Sequence, residues 1–253
     1  VAHAGYMGNF ARGFLSQDAV KNADRVRLRM INAATNRIFS LAVTGVTGSV
    51  VALDGMALET PRSLADLVLA PAQRADLIVD ITGPVGFDMQ SRQGSYRLAE
   101  LAISGTNTDR IPKPIAPLVA PNLPTPGDPS QHLTLTMMGG AMGGRHGGAN
   151  IWSFNNISDL HDDPFGAFER GETVRITFAN DTAFPHGIHL HGHHFYEVAP
   201  DGSLGDLRDT SLVAAGESRD VICVFDNPGR WLIHCHMLSH AVGGMRTWVK
   251  VSD

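Results

Sequence analysis

The sequence predicts an all-β fold made of two tandem Greek-key sandwich or barrel domains. Short segments of alternating apolar and polar residues recur along the chain, whereas no long segment shows the 3.6-residue period of an amphipathic helix. Glycine and proline are abundant, with 27 and 14 residues, as expected where many turns join short strands. At 253 residues, the chain is long enough for two β domains of roughly 120 residues each.

The first predicted domain covers residues 1–105 and consists of strands. In residues 25–31, basic and apolar side chains alternate, as in a half-exposed strand. Asp54 and Gly55 form a hairpin turn signal. Shorter strands are predicted at residues 39–43, 65–69 and 74–80.

A proline-rich linker is predicted between the domains, at residues 106–130. Seven prolines lie between positions 112 and 129. This density is incompatible with the interior of a sheet and is typical of a stiff, extended segment.

The second predicted domain covers residues 131–253. It begins with an alternating strand at residues 132–136, and a loop rich in methionine and glycine is predicted at 137–148. Met137, Met138 and Met142 either bind Cu(I) through their thioethers or simply anchor a flexible glycine loop. Further strands are predicted at residues 173–178, 187–196, 220–225 and 230–234.

Charge and composition argue against several classes of partner. A net charge of −5 gives no sign of a nucleic-acid binder. No apolar run approaches the roughly 18 residues of a membrane span, and no signal peptide begins the sequence at Val1. We therefore expect no nucleic-acid partner and no membrane partner. Two cysteines are too few for a disulfide framework, and Cys223 lies in an apolar strand where a buried free thiol is expected.

Histidine is concentrated in two motifs near the C-terminus. Eight of the 12 histidines fall between positions 186 and 240. The first motif is His-Gly-Ile-His-Leu-His-Gly-His-His at residues 186–194, and the second runs from His-Cys-His at 234–236 to a methionine at 245.

Strand geometry divides these side chains between two faces, because successive residues of a strand point in opposite directions. His189 and His191 share one face, and His234 and His236 share a face in the second motif. Pairing the two strands places four imidazoles on one side. The other side receives His186 and Cys235, and His240 and Met245 can fold back over the thiolate from the following loop.

Two histidines, a cysteine and a weak axial methionine are the ligands of a blue-copper electron-transfer site. Zinc is an alternative for clustered histidines, but zinc does not use a long methionine ligand. Isolated strand histidines satisfied by hydrogen bonds are another alternative, which does not explain seven of them around one cysteine. The peptide bonds joining Cys235 to His234 and His236 offer a short path for electrons between the two sets of ligands.

At these residues the sequence resembles the multicopper oxidase family, which includes laccases and bacterial copper oxidases. Residues 26–33 and 73–80 resemble the family's middle cupredoxin domain, which binds no metal, and residues 131–253 resemble its C-terminal, copper-binding cupredoxin domain. The resemblance implies copper as the cofactor. The type 1 copper ligands would be His186, Cys235 and His240, with Met245 axial. His189 would bind the type 2 copper, and the type 3 pair would use His191, His234 and His236.

The resemblance also implies what the chain does. A laccase-like oxidase removes single electrons from phenols, amines or metal ions and reduces O2 to water at a trinuclear cluster. We expect a small aromatic or metal-ion reductant and a periplasmic or extracellular location. His193 and His194 are expected to support the ligands rather than bind metal.

Two features depart from the family pattern. The family's trinuclear cluster needs two further His-x-His pairs, and none precedes position 186. We expect an N-terminal cupredoxin domain, in the same or a separate chain, to supply them, so that this chain alone is incomplete. The alternative is a type 1 copper module without oxidase activity of its own. In addition, Ala241 replaces an acidic residue that delivers protons in copper-efflux relatives, and Asp206, Asp209 and Glu217 are candidates for that role.

Overall fold

A computed structural model describes residues 11–65, 67–110, 113–140 and 151–253. These residues form 18 strands and one short helix, which confirms the prediction of an all-β protein. They divide into two compact units. The first contains the residues up to Ala33 and Ile38–Pro121, and the second contains Ala34–Arg37 and Asn122–Asp253. No helix of the described residues is long and apolar enough to cross a membrane.

The first unit is a single sheet of seven strands among its described residues. The strands follow the order β1-β7-β6-β3-β4, while β2 pairs with β6 and β5 pairs with β3. They are β1 (Ala19–Asn22), β2 (Arg25–Ile31), β3 (Phe39–Leu53), β4 (Met56–Arg62), β5 (Leu67–Leu69), β6 (Arg74–Ser91) and β7 (Gly94–Thr106).

Two long strands, β3 and β6, organise the first unit. They pair along most of their length, with register shifts between Thr44 and Val46 and between Val50 and Ala52. The first part of β6 also pairs with β2 and its last part with β7, so β6 pairs with three strands in all. Leu77, Val79 and Val85 of β6 are fully buried, and they belong to the apolar core of this unit.

The described residues of the second unit form two sheets. One has the order β10-β18-β17-β12-β15 and the other the order β14-β13-β16-β11-β8-β9. Their elements are β8 (Gln131–Gly139), β9 (Trp152–Phe154), β10 (Gly166–Glu169), β11 (Glu172–Asn180), β12 (His186–Leu190), β13 (Phe195–Val198), β14 (Leu204–Arg208), β15 (Thr210–Val213), β16 (Ser218–Phe225), β17 (Gly229–Cys235), α1 (Leu238–Val242) and β18 (Arg246–Ser252).

The two sheets pack face to face through apolar side chains. Phe168 of one sheet stacks on Phe225 of the other, with ring centroids 4.2 Å apart. On β11, Val174, Ile176 and Phe178 alternate with less buried residues and fill the space between the sheets. This alternation is the pattern of a strand with one face on the core, as the sequence predicts for this segment.

The structure differs from the predicted elements at three places. The predicted strand at 187–196 is two strands, β12 and β13, separated at residues 191–194, where Gly192 has a φ of +70°. Met137 and Met138 belong to strand β8 rather than to a loop, and Met137 is fully buried. The segment after β17 contains the helix α1. Met142 lies outside the described residues.

Candidate metal centre

The antiparallel pair β12 and β17 carries most of the candidate ligands. Ile188 lies opposite Cys235, and His189 lies opposite His234. Because side chains alternate along both strands, His189 and His234 point to one face of the sheet and Cys235 to the other. This division agrees with the one predicted from the spacing of the two motifs.

On one face, three donor atoms converge. The Sγ of Cys235 lies 3.6 Å from the Nδ1 of His186 and 3.6 Å from the Nδ1 of His240. The two Nδ1 atoms are 3.0 Å apart. A point equidistant from three atoms at these separations lies roughly 2 Å from each, which is the usual distance between a first-row metal ion and nitrogen or sulfur ligands. We call His186, Cys235, His240 and Met245 the Cys–His site.

The backbone of Met245 is hydrogen-bonded to two members of this site. Its side chain is fully buried, its N–H donates to the carbonyl oxygen of His240, and its carbonyl oxygen accepts from the N–H of Cys235. The tight turn before Met245 requires a glycine at position 244. Gly244 has a φ of +112°, and a Cβ there would overlap Ser158 Oγ and lie 2.5 Å from the carbonyl oxygen of Trp152.

Burial controls protonation in the Cys–His site. Desolvation, with the nearby His240 as a second cause, lowers the pKa of His186 well below its ordinary value of 6.5. Desolvation also lowers the pKa of His240 to about 4 and raises the pKa of the Cys235 thiol to about 12. At neutral pH both imidazoles are therefore uncharged and able to bind a metal, whereas the thiol must lose its proton when a metal binds.

Two residues outside the histidine motifs contact these imidazoles. The ring centroid of Trp152 lies 4.3 Å from that of His240 and 5.2 Å from that of His186. The hydroxyl of Thr182 lies 2.8 Å from the Nε2 of His186. This hydrogen bond leaves Nδ1 of His186 as the nitrogen that faces Cys235. No sequence signal indicated either contact, because neither residue belongs to the histidine motifs.

The opposite face carries a second group, His189, His191, His234 and His236, which we call the four-histidine cluster. Their ring centroids lie 4.8 to 5.7 Å apart in neighbouring pairs. The Nε2 atoms of His191 and His234 are 3.1 Å apart. Desolvation is the first cause that lowers the pKa of both, to about 4 for His234. All four imidazoles predicted to lie on one face are thus together.

His189 is oriented by the start of β15. Its Nδ1 lies 2.9 Å from the carbonyl oxygen of Asp209 and 3.0 Å from the hydroxyl of Thr210. Because a hydrogen bond to a carbonyl oxygen needs a proton on Nδ1, the Nε2 of His189 is available to a metal. The carboxylate of Asp209 is 3.6 Å from the same ring and 4.0 Å from Nε2 of His194. Asp209, one of the three acidic candidates for a proton donor, thus lies beside this cluster.

His193 and His194 lie beside the four-histidine cluster. The Nδ1 of His193 is 3.3 Å from the carbonyl oxygen of His191, and its Nε2 accepts a 3.4 Å hydrogen bond from the N–H of Asn227. Its ring packs against Phe225. These contacts hold the turn that follows β12, where His191 is located. Cys223 is fully buried, as predicted, and burial raises the pKa of its thiol.

Comparisons with known proteins give one consistent result. Two family models, both described as multicopper oxidase, match residues 5–108 and 127–253. The multicopper oxidase MmcO of Mycobacterium tuberculosis is 30% identical to this chain over 90% of the chain and 46% of MmcO. Copper resistance protein A of Escherichia coli is 37% identical over 40% of this chain and 17% of that protein.

Solved structures similar to this chain include multicopper oxidases as well. The crystal structure of Lac15, from a marine microbial metagenome, is similar with a TM-score of 0.84 and 49% identity, over 99% of this chain and 61% of Lac15. A multi-copper oxidase from Pseudomonas thermotolerans has a TM-score of 0.79 and 25% identity, over 92% of this chain and 56% of that one. The chain thus spans about half the length of MmcO and less than two thirds of Lac15. With both family models matched, this chain belongs to the multicopper oxidase family.

Proposed function

We propose that the Cys–His site holds a type 1 copper and forms the electron-accepting end of a laccase-like multicopper oxidase. His186, Cys235 and His240 would bind the copper, with Met245 as the weak axial ligand. The main observation in support of this proposal is the convergence of three buried donor atoms. The Sγ of Cys235 lies 3.6 Å from the Nδ1 atoms of His186 and His240, and these two nitrogens are 3.0 Å apart. A soft thiolate and thioether combined with imidazoles suit copper, which alternates between two oxidation states.

We further propose that the four-histidine cluster supplies half of the ligands of a trinuclear copper cluster. His189 would bind the type 2 copper, and His191, His234 and His236 would bind the type 3 pair. The spread of the rings supports this proposal. Only His186, Cys235 and His240 form a compact set of donor atoms within 4.8 Å of one another in the described part of the chain. The more open set of four imidazoles suits several ions that share ligands with another domain.

The other four ligands would come from an N-terminal cupredoxin domain of the same or a separate chain. The sequence contains no His-x-His pair before position 186, which supports an outside source. When bound, copper would supply one-electron oxidation of a donor and reduction of O2 to water. The residues of this chain keep the imidazoles neutral and exclude water from the Cys–His site.

The peptide backbone connects the two groups of ligands. Cys235 of the Cys–His site is bonded directly to His234 and His236 of the four-histidine cluster. This covalent link provides a short path between the side that accepts electrons and the side that faces O2. We propose that Asp209 orients His189. Asp209 would also deliver protons to the O2 site, the role of the acidic residue that copper-efflux relatives have at the position of Ala241.

The reductant is proposed to be a small phenol, amine or metal ion. The similarity to copper resistance protein A of Escherichia coli supports a metal ion among these donors. The proposed location is the periplasm or the extracellular space.

Oxygen consumption with a phenolic dye tests this function. The copper-loaded chain is measured alone and after addition of the N-terminal cupredoxin domain of a relative. The proposal expects bound copper well below four ions per chain and little O2 uptake alone, and a gain of both with the added domain. If four ions bind to the isolated chain and O2 is reduced to water, the proposed division of ligands is wrong. If the added domain restores nothing, the chain is a type 1 copper module without oxidase activity.

A further inference from the structure

The helix that carries His240 depends on outside contacts for its position. α1 has only five residues, and His240 is its one buried residue. Leu238 and Val242 are 41% and 76% exposed. A helix this short is not stable by itself, and little apolar packing holds it against the rest of its unit. Hydrogen bonds from outside the helix therefore contribute to the placement of His240, together with its contacts to Trp152 and Met245.

Residues 34–37, which belong to the same compact unit, provide these hydrogen bonds. Met237, at the N-cap of α1, makes no capping hydrogen bond through its side chain. Instead, the N–H of Leu238 donates to the carbonyl oxygen of Thr35 at 2.8 Å. The Oδ1 of Asn36 accepts from the N–H of Ser239 at 3.2 Å and from its hydroxyl at 2.8 Å. The first N–H groups of a helix need such partners, and here they come from about 200 residues away in the sequence.

Asn36 is a buried residue that anchors Ser239 by hydrogen bonds. Its side chain is buried, with 8% of the residue exposed, and its one carbonyl oxygen accepts both hydrogen bonds from Ser239. Ser239 directly precedes His240. The ring centroid of Trp152 lies 4.3 Å from that of His240. The imidazole thus packs against an aromatic ring, and the backbone residue before it is hydrogen-bonded to Asn36.

We propose that Asn36 is a positioning residue for the type 1 site. By fixing the first turn of α1, Asn36 keeps Nδ1 of His240 at 3.6 Å from Cys235 Sγ and 3.0 Å from His186 Nδ1. Outer partners of metal ligands typically change metal affinity when they are replaced, because they set the orientation of the ligand. This inference rests on the proposed type 1 site.

The test compares copper-loaded variants of the chain. Asn36→Ala is expected to weaken Cu(II) retention against a chelator by about tenfold, shift the reduction potential, and alter the electron paramagnetic resonance spectrum. Ser239→Ala removes only the hydroxyl donor and is expected to weaken retention by roughly two- to threefold. The double variant should retain copper as poorly as Asn36→Ala alone, because both substitutions remove the same contact.

Asn32→Ala is the matched control. Asn32 is also a buried asparagine, 4% exposed, and its side chain donates to the carbonyl oxygen of Leu69, within the first unit. Its replacement should lower the free energy of unfolding without changing the copper spectrum or the potential. If Asn36→Ala behaves like Asn32→Ala, Asn36 is only a structural residue and the proposal is wrong. If Asn36→Ala does not fold, Ser239→Ala decides the question. An unchanged copper spectrum and unchanged copper retention in that variant would show that the proposal is wrong.

A measurement without copper separates this inference from the proposed function. Crystal structures of the metal-free wild type and of the Asn36 or Ser239 variant are compared. We expect the distance between Nδ1 of His240 and Sγ of Cys235 to increase in the variant. An unchanged distance overturns the inference whatever the wild type binds. By contrast, a wild-type chain that binds no copper overturns the proposed function and leaves this distance test intact.

Discussion

Acidification is expected to destabilise the metal-free second unit before its carboxylates titrate. Burial lowers the pKa of His240 and of His234 to about 4, from an ordinary value of 6.5. The unfolded chain therefore binds protons below pH 6.5 that the folded chain does not bind until about pH 4. The stabilising contribution is complete above pH 6.5 and is lost as the pH falls toward 4.

The size of this effect follows from the two values. Between pH 8 and pH 5, each of these histidines is expected to reduce the free energy of unfolding by about 2 kcal/mol, or about 4 kcal/mol for the pair. Both residues are almost fully buried, 4% and 8% exposed, so solvent screening is small. His186, whose pKa is also lowered, acts in the same direction. Asp159 and Asp220 have lowered pKa values and lose their contribution only at more acidic pH.

Urea unfolding followed by tryptophan fluorescence measures this loss. All three tryptophans of the sequence lie in the second unit, at positions 152, 231 and 248, so their fluorescence reports on the unit that holds the site. His240→Gln should remove about half of the loss. His132→Gln, a surface residue on β8, is the control, and the loss should persist because that ring is exposed. A free energy of unfolding that is constant from pH 8 to pH 5 would refute the reasoning.

Two further substitutions test the geometry of the Cys–His site. Gly244→Ala is expected to cost about 1 to 3 kcal/mol of stability and to impair copper binding, because its φ of +112° is strained for alanine and its Cβ would overlap Ser158. Gly171→Ala is the control, because Gly171 has a φ of +85° but open space around it, so that only backbone strain is added. If Gly171→Ala impairs copper binding as much as Gly244→Ala does, the overlap of the Cβ with Ser158 is not the cause. Thr182→Val removes the hydroxyl that bonds Nε2 of His186 and should weaken copper retention about tenfold. Unchanged retention in Thr182→Val, measured by competition with a chelator, would show that this hydrogen bond does not orient the ring.

Local sequence patterns predicted the strands and the division of ligands between two faces. Residues two apart on a strand point to the same face, so the spacing of His234 and His236, and of His189 and His191, predicts which side chains share a face. The register of β12 against β17 then brings the two motifs together. These relations depend on neighbouring residues, so the sequence alone was sufficient to predict them.

The supporting contacts could not be predicted in this way. Asn36 and Ser239 are 203 residues apart, and no periodicity links them. Trp152 belongs to a three-residue strand whose pairing with β8 directs its ring toward His240 and His186. The spacing also hides the break after β12, because His189, His191 and His193 keep a spacing of two across Gly192, and only Phe195 is out of phase with Ile188 and Leu190.

The most direct test of the central claim is the absorption spectrum of the chain loaded with Cu(II). A thiolate bound to Cu(II) in a type 1 site gives a strong band at about 600 nm. We predict this band in the wild type, and its loss in Cys235→Ser, which removes the sulfur but leaves both imidazoles of the site. Cys223→Ser, the matched replacement of the other buried cysteine, should keep the band. A copper-loaded wild type without this band, or a band that persists in Cys235→Ser, would contradict the assignment of the type 1 site.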